Sequence, residues 1–544
     1  VEPMSSPEPR SCHSPNTYNW RSVLGLTIGL LVGAGVTVGN AAEIPNWARE
    51  QLALRKTVDH WIRADIQAYH DQGFKAMFPD IRGHGADEIG GWTRSWLGAY
   101  CLSGNEDIPR TMKALRDTWR EGVTNSGHYR RGYPANKESD TVKHTAEGFS
   151  QGMLNMLYLD LKDPKSVSFV EEAAGLMGNW VPGVQPFYNW QEHHFRGYFL
   201  GTKAPEVGQP YDYESWVHFR VLAIVLGAYE ATRNPRYLEL CEDYCGFWAR
   251  EILAAPSDGE VPSNVLHATE EQWRQWQQQG PEARKPTYAN RFFRVEQYQR
   301  KLALMKSFEP GSSSPCDIVE TWLCLYRHQP KPEHQQALQR VMRQWIASGP
   351  GGPSQMGAYE PHVGLHLPWY RDITGDTSLD AKYLAAFPQG GVCTYLLTGD
   401  EQRLEGLAAT VNQDFAANWE KMAYSGCWWR TRGGFSSAAI APALFMPALG
   451  GLCNFFGRVP WVNVLYYTDG HPGLPEDVAA LYVPNTVHTQ RGVKLVNTGP
   501  QTRKVRVRPV QPTSTENLLF LESPPEKALI DVTLAPGETK QVRF

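Results

Sequence analysis

Six times along this chain a helical run closes in a short polar turn and a second helical run opens after it. The turns begin at Tyr100, Tyr158, Tyr229, Tyr326, Tyr370 and Tyr395, as in Tyr229-Glu-Ala-Thr-Arg-Asn-Pro and Tyr395-Leu-Leu-Thr-Gly-Asp. Gly or Asn after a helix takes the left-handed conformation that stops it, and Asp, Asn or Pro starts the next one. A single αα-hairpin cannot bury its apolar face, so a series of them must stack. The intervals between turns are unequal, which disfavours an open solenoid of identical units. A closed ring of six hairpins with long connections at one end is the expected architecture.

The material for such a ring is present. The chain has 544 residues, 42% of them hydrophobic, with 19 Trp. That is ample for a large core. A formal net charge of −4 provides no field for nucleic acid or an anionic membrane. At the N-terminus, Arg21 precedes an apolar, Gly-rich run from Val23 to Gly39 and then Asn40-Ala-Ala42. This is the pattern of an export signal, with an uncleaved anchor as the competing reading. Residues 1–42 are therefore expected to be a signal peptide with an upstream extension. The protein is expected to be exported to the periplasm or medium, with no membrane association after cleavage. The nine Cys include no CxxC pair, so neither a metal nor a cofactor is expected. Phosphate-binding loops and an HExxH helix are missing from the sequence.

Beyond about Pro460 the pattern changes to short β-rich runs, such as Trp461-Val-Asn-Val-Leu-Tyr-Tyr and Lys504-Val-Arg-Val-Arg, separated by Gly/Pro turns. The reading is therefore mainly α, with residues 43–458 an (α/α)6 toroid and residues 459–544 a small C-terminal antiparallel β-sandwich. This order of domains resembles the secreted six-hairpin (α/α)6-toroid carbohydrate-active enzymes, both glycoside hydrolases and polysaccharide lyases. One segment, Ser314-Pro-Cys-Asp-Ile-Val-Glu-Thr-Trp-Leu-Cys-Leu-Tyr326, is similar to the Glu-Thr-Cys helix of the β-L-arabinofuranosidase group. In that group a glutamate and several cysteines hold zinc. Here Trp322 stands where the cysteine should follow Glu320-Thr321, and the later Cys-Cys pair is reduced to Cys427-Trp428.

Helix starts opposite the repeated turns should meet at one mouth of the ring, and titratable residues recur there. His144 and Glu147 share a helical face, either as an acid/base pair or as a solvated stripe. Tyr211-Asp212-Tyr213-Glu-Ser-Trp-Val-His218, read as helix, sets a carboxylate beside an imidazole; capping acids with a core histidine are the alternative. Asp317 reads as a helix-capping acid, which leaves Glu320 as the stronger catalytic candidate. Glu360, with His362 and His366 just after it, is another. The catalytic set drawn from sequence is thus His144, Glu147, Asp212, His218, Glu320 and Glu360. For binding, flat indoles stack on sugars and Arg pairs with carboxylates. That selects Trp92, the Asn189-Trp190-Gln-Glu-His193-His194-Phe-Arg196 loop, Tyr211, Tyr213, and Trp428-Trp429-Arg430.

The function these residues and the resemblance imply is a glycoside hydrolase using two carboxylates on an oligo- or polysaccharide. A uronate-specific lyase using an Asn/His/Tyr set with Arg430 is the alternative. A non-catalytic glycan-binding protein is the third reading.

Overall fold

The structure is a computed structural model. It describes residues 43–544 apart from 73–92, 94, 126–128, 131–132, 135–151, 185, 196–212, 256–260, 267–269, 280–301, 306–313, 350–359, 390, 423–439, 453–459, 485–490 and 512–528. The export-signal segment lies outside the described residues. Among the described residues no helix is long and apolar enough to cross a membrane.

Two helix types alternate, and each sequence shows why. The helix α1 (Asn46–Gln72) is followed by α2 (Trp96–Ser103) and α3 (Asp107–Asn125), then α4 (Leu154–Leu159) and α5 (Pro164–Met177), and α6 (Phe219–Thr232) and α7 (Pro235–Leu253). After the exposed α8 (Glu270–Gln278) come α9 (Ser314–His328) and α10 (Pro332–Ala347), α11 (His362–Thr374) and α12 (Asp380–Ala386), and α13 (Val392–Thr398) and α14 (Leu407–Met422). In α6 every residue from Phe219 to Ala228 is buried, the pattern of a helix packed on all sides. In α7 burial is confined to Tyr237, Leu240, Cys241, Tyr244, Cys245, Trp248, Ala249 and Ile252, one stripe of a helix with an outer face. Removing an anchor of that stripe, as in Trp248→Ala, would cost about 3–5 kcal/mol. The inner helices pack in sequence, α4 on α6, α6 on α9, α9 on α11 and α11 on α13. Closure comes from α1 against α14 and from Phe445, whose ring leaves no room for a Cβ at Gly98 of α2. Phe445 belongs to a buried π-helical turn (Ala441–Phe445) that runs into the short helix α15 (Met446–Leu449).

The turns behave as their sequences predict, with one exchange of roles. Gly104, Gly375 and Gly399 are left-handed, and each donates its N–H to a carbonyl of the last helical turn. At the third turn Arg233, not Asn234, takes the left-handed position (φ 58°). Asn234 instead accepts from the N–H of Arg236 as the cap of α7, with Pro235 following. Only one of two adjacent residues can end a helix when the next must start another. The repeated tyrosines have a purpose of their own. Tyr100, Tyr326 and Tyr370 donate across the turn to Glu106, Gln335 and Asp376 at 3.2, 3.0 and 2.5 Å.

Among the described residues, short strands run between the helices: β1 (Tyr129–Arg130), β2 (Tyr133–Pro134), β3 (Tyr188–Asn189), β4 (His194–Phe195), β5 (Tyr213–Ser215), β6 (Val261–Leu266) and β7 (Leu302–Met305). The C-terminal strands form two antiparallel sheets, a small sandwich. One has β8 (Val464–Thr468), β9 (His471–Pro472), β12 (Arg503–Pro509) and β13 (Ile530–Leu534) in the order β13-β12-β8-β9. The other has β10 (Val478–Val483), β11 (Gly492–Asn497) and β14 (Thr539–Arg543) in the order β10-β11-β14. They dock on the turn end of the ring. Leu474 donates to Leu102 O at 2.9 Å, Asn463 to Leu449 O at 2.9 Å, and Tyr395 Oη to Tyr482 O at 2.7 Å. Gln51 of α1 covers the free edge of β10, donating to Ala480 O at 2.7 Å and accepting from Ala480 N at 2.9 Å. A side-chain amide thereby replaces a neighbouring strand. Earlier in the chain a three-stranded sheet joins Tyr213–Ser215, Val261–Leu266 and Leu302–Met305.

Candidate active site

Each inner helix is followed by an antiparallel outer one, so the inner helices run parallel and their N-terminal ends share one mouth. The C-terminal sheets occupy the other end. Three neighbouring inner helices, α6, α9 and α11, carry a belt of polar side chains at that mouth, all buried. Arg220 Nε donates to Asp317 Oδ2 at 2.9 Å, linking α6 to α9. One turn deeper Thr321 donates to Phe219 O at 3.1 Å. Between α9 and α11, Cys316 Sγ lies 3.7 Å from His362 Nδ1, and His366 Nε2 lies 2.9 Å from Glu320 Oε1.

The last pair has an assignable proton. His366 Nδ1 is 2.7 Å from the carbonyl oxygen of His362, which cannot donate, so Nδ1 carries hydrogen. The contact from Nε2 to Glu320 then needs one further proton, either on the carboxyl or on a doubly protonated ring. Burial pulls the imidazole of His366 down to about 4. His362 is lowered to about 3 by burial and by His366, so burial favours the neutral form of both rings. The geometry therefore sets a buried carboxyl against an imidazole, beside a second carboxylate paired with Arg220.

The other candidates fall into different settings. Glu360 is buried and its carboxylate accepts from Tyr383 Oη at 2.7 Å and from the Val392 amide at 2.8 Å, so it caps the N-terminus of α13 from outside. Burial lifts it to about 7 against these hydrogen bonds. His218 lies buried at the start of α6 with its ring stacked 5.9 Å from Phe195. The helical face expected for Tyr211, Ser215 and His218 does not form, because Tyr213–Ser215 is a strand paired with Asn264–Leu266. That partner lies some fifty residues on, beyond any local pattern. The Asn189–His194 loop is a β-hairpin secured by its own residues. Asn189 binds Glu192, His194 binds Glu192 and the Phe195 carbonyl, and His193 binds Asp243 of the outer helix α7. Trp190 packs edge-on to Tyr188 at 5.0 Å. Asp317, expected as a cap, is the partner of Arg220. His144, Glu147, Asp212, Trp92, Arg196, Tyr211, Trp428, Trp429 and Arg430 lie outside the described residues.

The zinc set of the arabinofuranosidase group does not fit this chain. Glu320 is engaged by His366, and Trp322, at the cysteine position, is fully buried and stacked on Phe219. A different cluster went unnoticed in the sequence. At the turn end, Glu230 of α6 meets Cys324, Arg327 and His328 of α9. Glu230 Oε1 is hydrogen-bonded by His328 and lies 3.7 Å from Cys324 Sγ, and Arg327 Nη2 lies 3.4 Å from that sulfur. Burial would raise Glu230, but the His328 hydrogen bond and the Arg327 charge outweigh it and hold it ionised. The signal was the i, i+4 spacing of Cys324 and His328, which a search for CxxC passes over.

No family model matches the chain, and no curated protein matches it. Among solved structures, it is similar to the unsaturated glucuronyl hydrolase from Bacillus sp. GL1, responsible for the degradation of glycosaminoglycan. The identity is 11%, covering 62% of this chain and 85% of that one, with a TM-score of 0.39. A variant of UGL with dGlcA-Glc-Rha-Glc is similar at 11% identity, covering 64% of this chain and 84% of that one, with a TM-score of 0.36.

Proposed function

We propose that this chain is an exported carbohydrate-active hydrolase that cleaves a glycosidic bond at the mouth formed by the N-termini of α6, α9 and α11. The observation that carries this reading is the Glu320–His366 pair, a buried carboxyl 2.9 Å from an imidazole that burial favours as neutral. Glycosidic oxygen is a poor leaving group until it is protonated, and the acid that protonates it must keep its proton near pH 7. Glu320 is that acid and His366 aims it. The second carboxylate, base or nucleophile, is drawn from Glu147 and Asp212, which stand before α4 and α6 in sequence. Trp92 and Trp428-Trp429-Arg430 supply stacking and hydrogen-bonding surface for the sugar. The Asn189, His193 and His194 side chains, already bonded within their hairpin and to α7, make the lyase reading the weaker one.

The test is a screen of the chain on plant, algal and animal polysaccharides, with reducing ends and the absorbance of an unsaturated uronate followed together. Reducing ends without absorbance are expected, with turnover lowered about 100-fold or more in Glu320→Gln. Absorbance rising with reducing ends would replace the hydrolase by a lyase. Binding without turnover would leave a glycan-binding ring.

A further inference from the structure

We propose that Glu230, Cys324 and His328 form a binding site for a thiophilic divalent cation of the zinc class, joining the inner helices α6 and α9 at the turn end of the ring. One carboxylate oxygen, one thiol sulfur and one imidazole nitrogen lie within 4.8 Å of one another, with Glu230 and Cys324 buried and His328 partly so. Donors bound to a tetrahedral zinc lie about 3.3–3.6 Å apart, given bonds of about 2.0–2.3 Å. The 3.7 Å between Cys324 Sγ and Glu230 Oε1 is close to that spacing. A mixed sulfur, nitrogen and oxygen set selects zinc over calcium or magnesium. Cys324 and His328 project from one helix face and Glu230 from the neighbouring helix.

An independent observation points to the same place. Tyr158 of α4 is the first residue of a repeated turn, like Tyr100, Tyr326 and Tyr370. Those three hydroxyls donate across their turns, but that of Tyr158 is fully buried and has no hydrogen-bond partner. It lies within electrostatic reach of Cys324 and Glu230, and Glu230 Oε2 is buried without a hydrogen bond, 3.3 Å from Arg233 Nη1. A network of Glu230, Arg233, Arg327 and His328 alone leaves the Tyr158 hydroxyl unsatisfied, which is costly in a core. A cation between Glu230, Cys324 and His328 engages the carboxylate and brings a donor site to the phenol of the third helix. Arg327 Nη2 lies 3.4 Å from Cys324 Sγ and 3.6 Å from Glu230 Oε1, a position from which it would donate to a metal-bound thiolate. On binding, the sulfur loses its proton to solvent and the cation replaces the proton between His328 and Glu230. This site shares no residue with the mouth and stands whether or not the hydrolase reading does.

The experiment uses the full chain under reducing conditions, stripped with a chelator and then titrated with zinc or cobalt(II). Stoichiometric zinc binding is expected, with a Tm that rises with zinc concentration. Cobalt should give a thiolate charge-transfer band and the intense visible bands of tetrahedral coordination. Cys324→Ser should lose the charge-transfer band, and His328→Gln should weaken zinc binding at least 10-fold. A folded wild-type chain without the cobalt band overturns the site, as does a band that persists unchanged in Cys324→Ser. If Cys324→Ser does not fold by circular dichroism, the wild-type spectrum and His328→Gln decide alone.

Discussion

His366 Nε2 and Glu320 Oε1 stand 2.9 Å apart on adjacent inner helices with one proton between them. The carbonyl of His362 fixes that arrangement, because it occupies the other ring nitrogen and leaves His366 a single tautomer when neutral. The pair is thus a carboxyl oriented by an imidazole whose tautomer the backbone of α11 sets.

Replacing Glu320 by Gln keeps a hydrogen-bond donor toward Nε2. The variant should melt within about 1 kcal/mol of the parent while turnover falls about 10²–10⁴-fold. Parallel calorimetry and kinetics on the first active substrate check this. Equal loss of both would mean that Glu320 is only a structural tie.

Acid should destabilise the ring through its buried histidines. His362 and His366 titrate at about 3 and 4 when folded, both lowered by burial, against about 6.5 unfolded. The unfolded chain therefore binds protons first. The stability is fully present above about pH 6.5 and is lost as pH falls from there toward 4, by a few kcal/mol for each ring. Urea midpoints at pH 7 and 4.5 should show the loss, and His362→Asn should reduce it.

Glu360 acts in the opposite sense. Burial raises it to about 7 when folded, so the folded chain keeps a proton that the unfolded chain gives up near pH 4.5. Its contribution is complete below about pH 4.5 and declines as pH rises through 7, at up to about 1.4 kcal/mol per pH unit. Glu360→Gln should flatten stability over that interval, measured by denaturant titration at several pH values.

Asp317 and Arg220 are both buried, at 4% and 11% side-chain exposure. Removing one partner strands the other charge, so Asp317→Leu or Arg220→Met alone should cost about 3–5 kcal/mol. The double variant should cost less than the sum, and a double-mutant cycle in urea gives the coupling.

Gln51→Ala should leave the N–H and C=O of Ala480 unpaired at the edge of β10, a loss of about 1–3 kcal/mol. An uncovered edge also pairs with other chains. Light scattering at rising concentration should show self-association that the parent lacks.

The ring was legible because its signals are local. A helix stop such as Gly375 or Gly399, and a start such as Asn234-Pro235, are written in consecutive residues. The burial pattern of α6 against α7, which separates inner from outer helices, comes from the folded ring. The site was legible only in kind. Glu320 and His366 were both noticed, but no local rule joins residues 46 positions apart on two helices. Asp317 looked like a cap until Arg220 arrived from 97 positions away, and Tyr213–Ser215 looked helical until its partner strand was placed. Glu360 carries its carboxylate to the start of α13, which only the folded ring brings within reach.

The hydrogen bonds from Gln51 to Ala480 join residues 429 positions apart, and α1 also packs on α14. α1 is therefore made long before the elements that complete its packing. Until they are made, the apolar face of α1, with Trp47, Leu54, Val58, Trp61 and Ile62, is covered only in part, by α2 and α3. Such long-range closure is slow and keeps apolar surface exposed meanwhile. A circular permutant that makes α1 after β14 should shorten that wait.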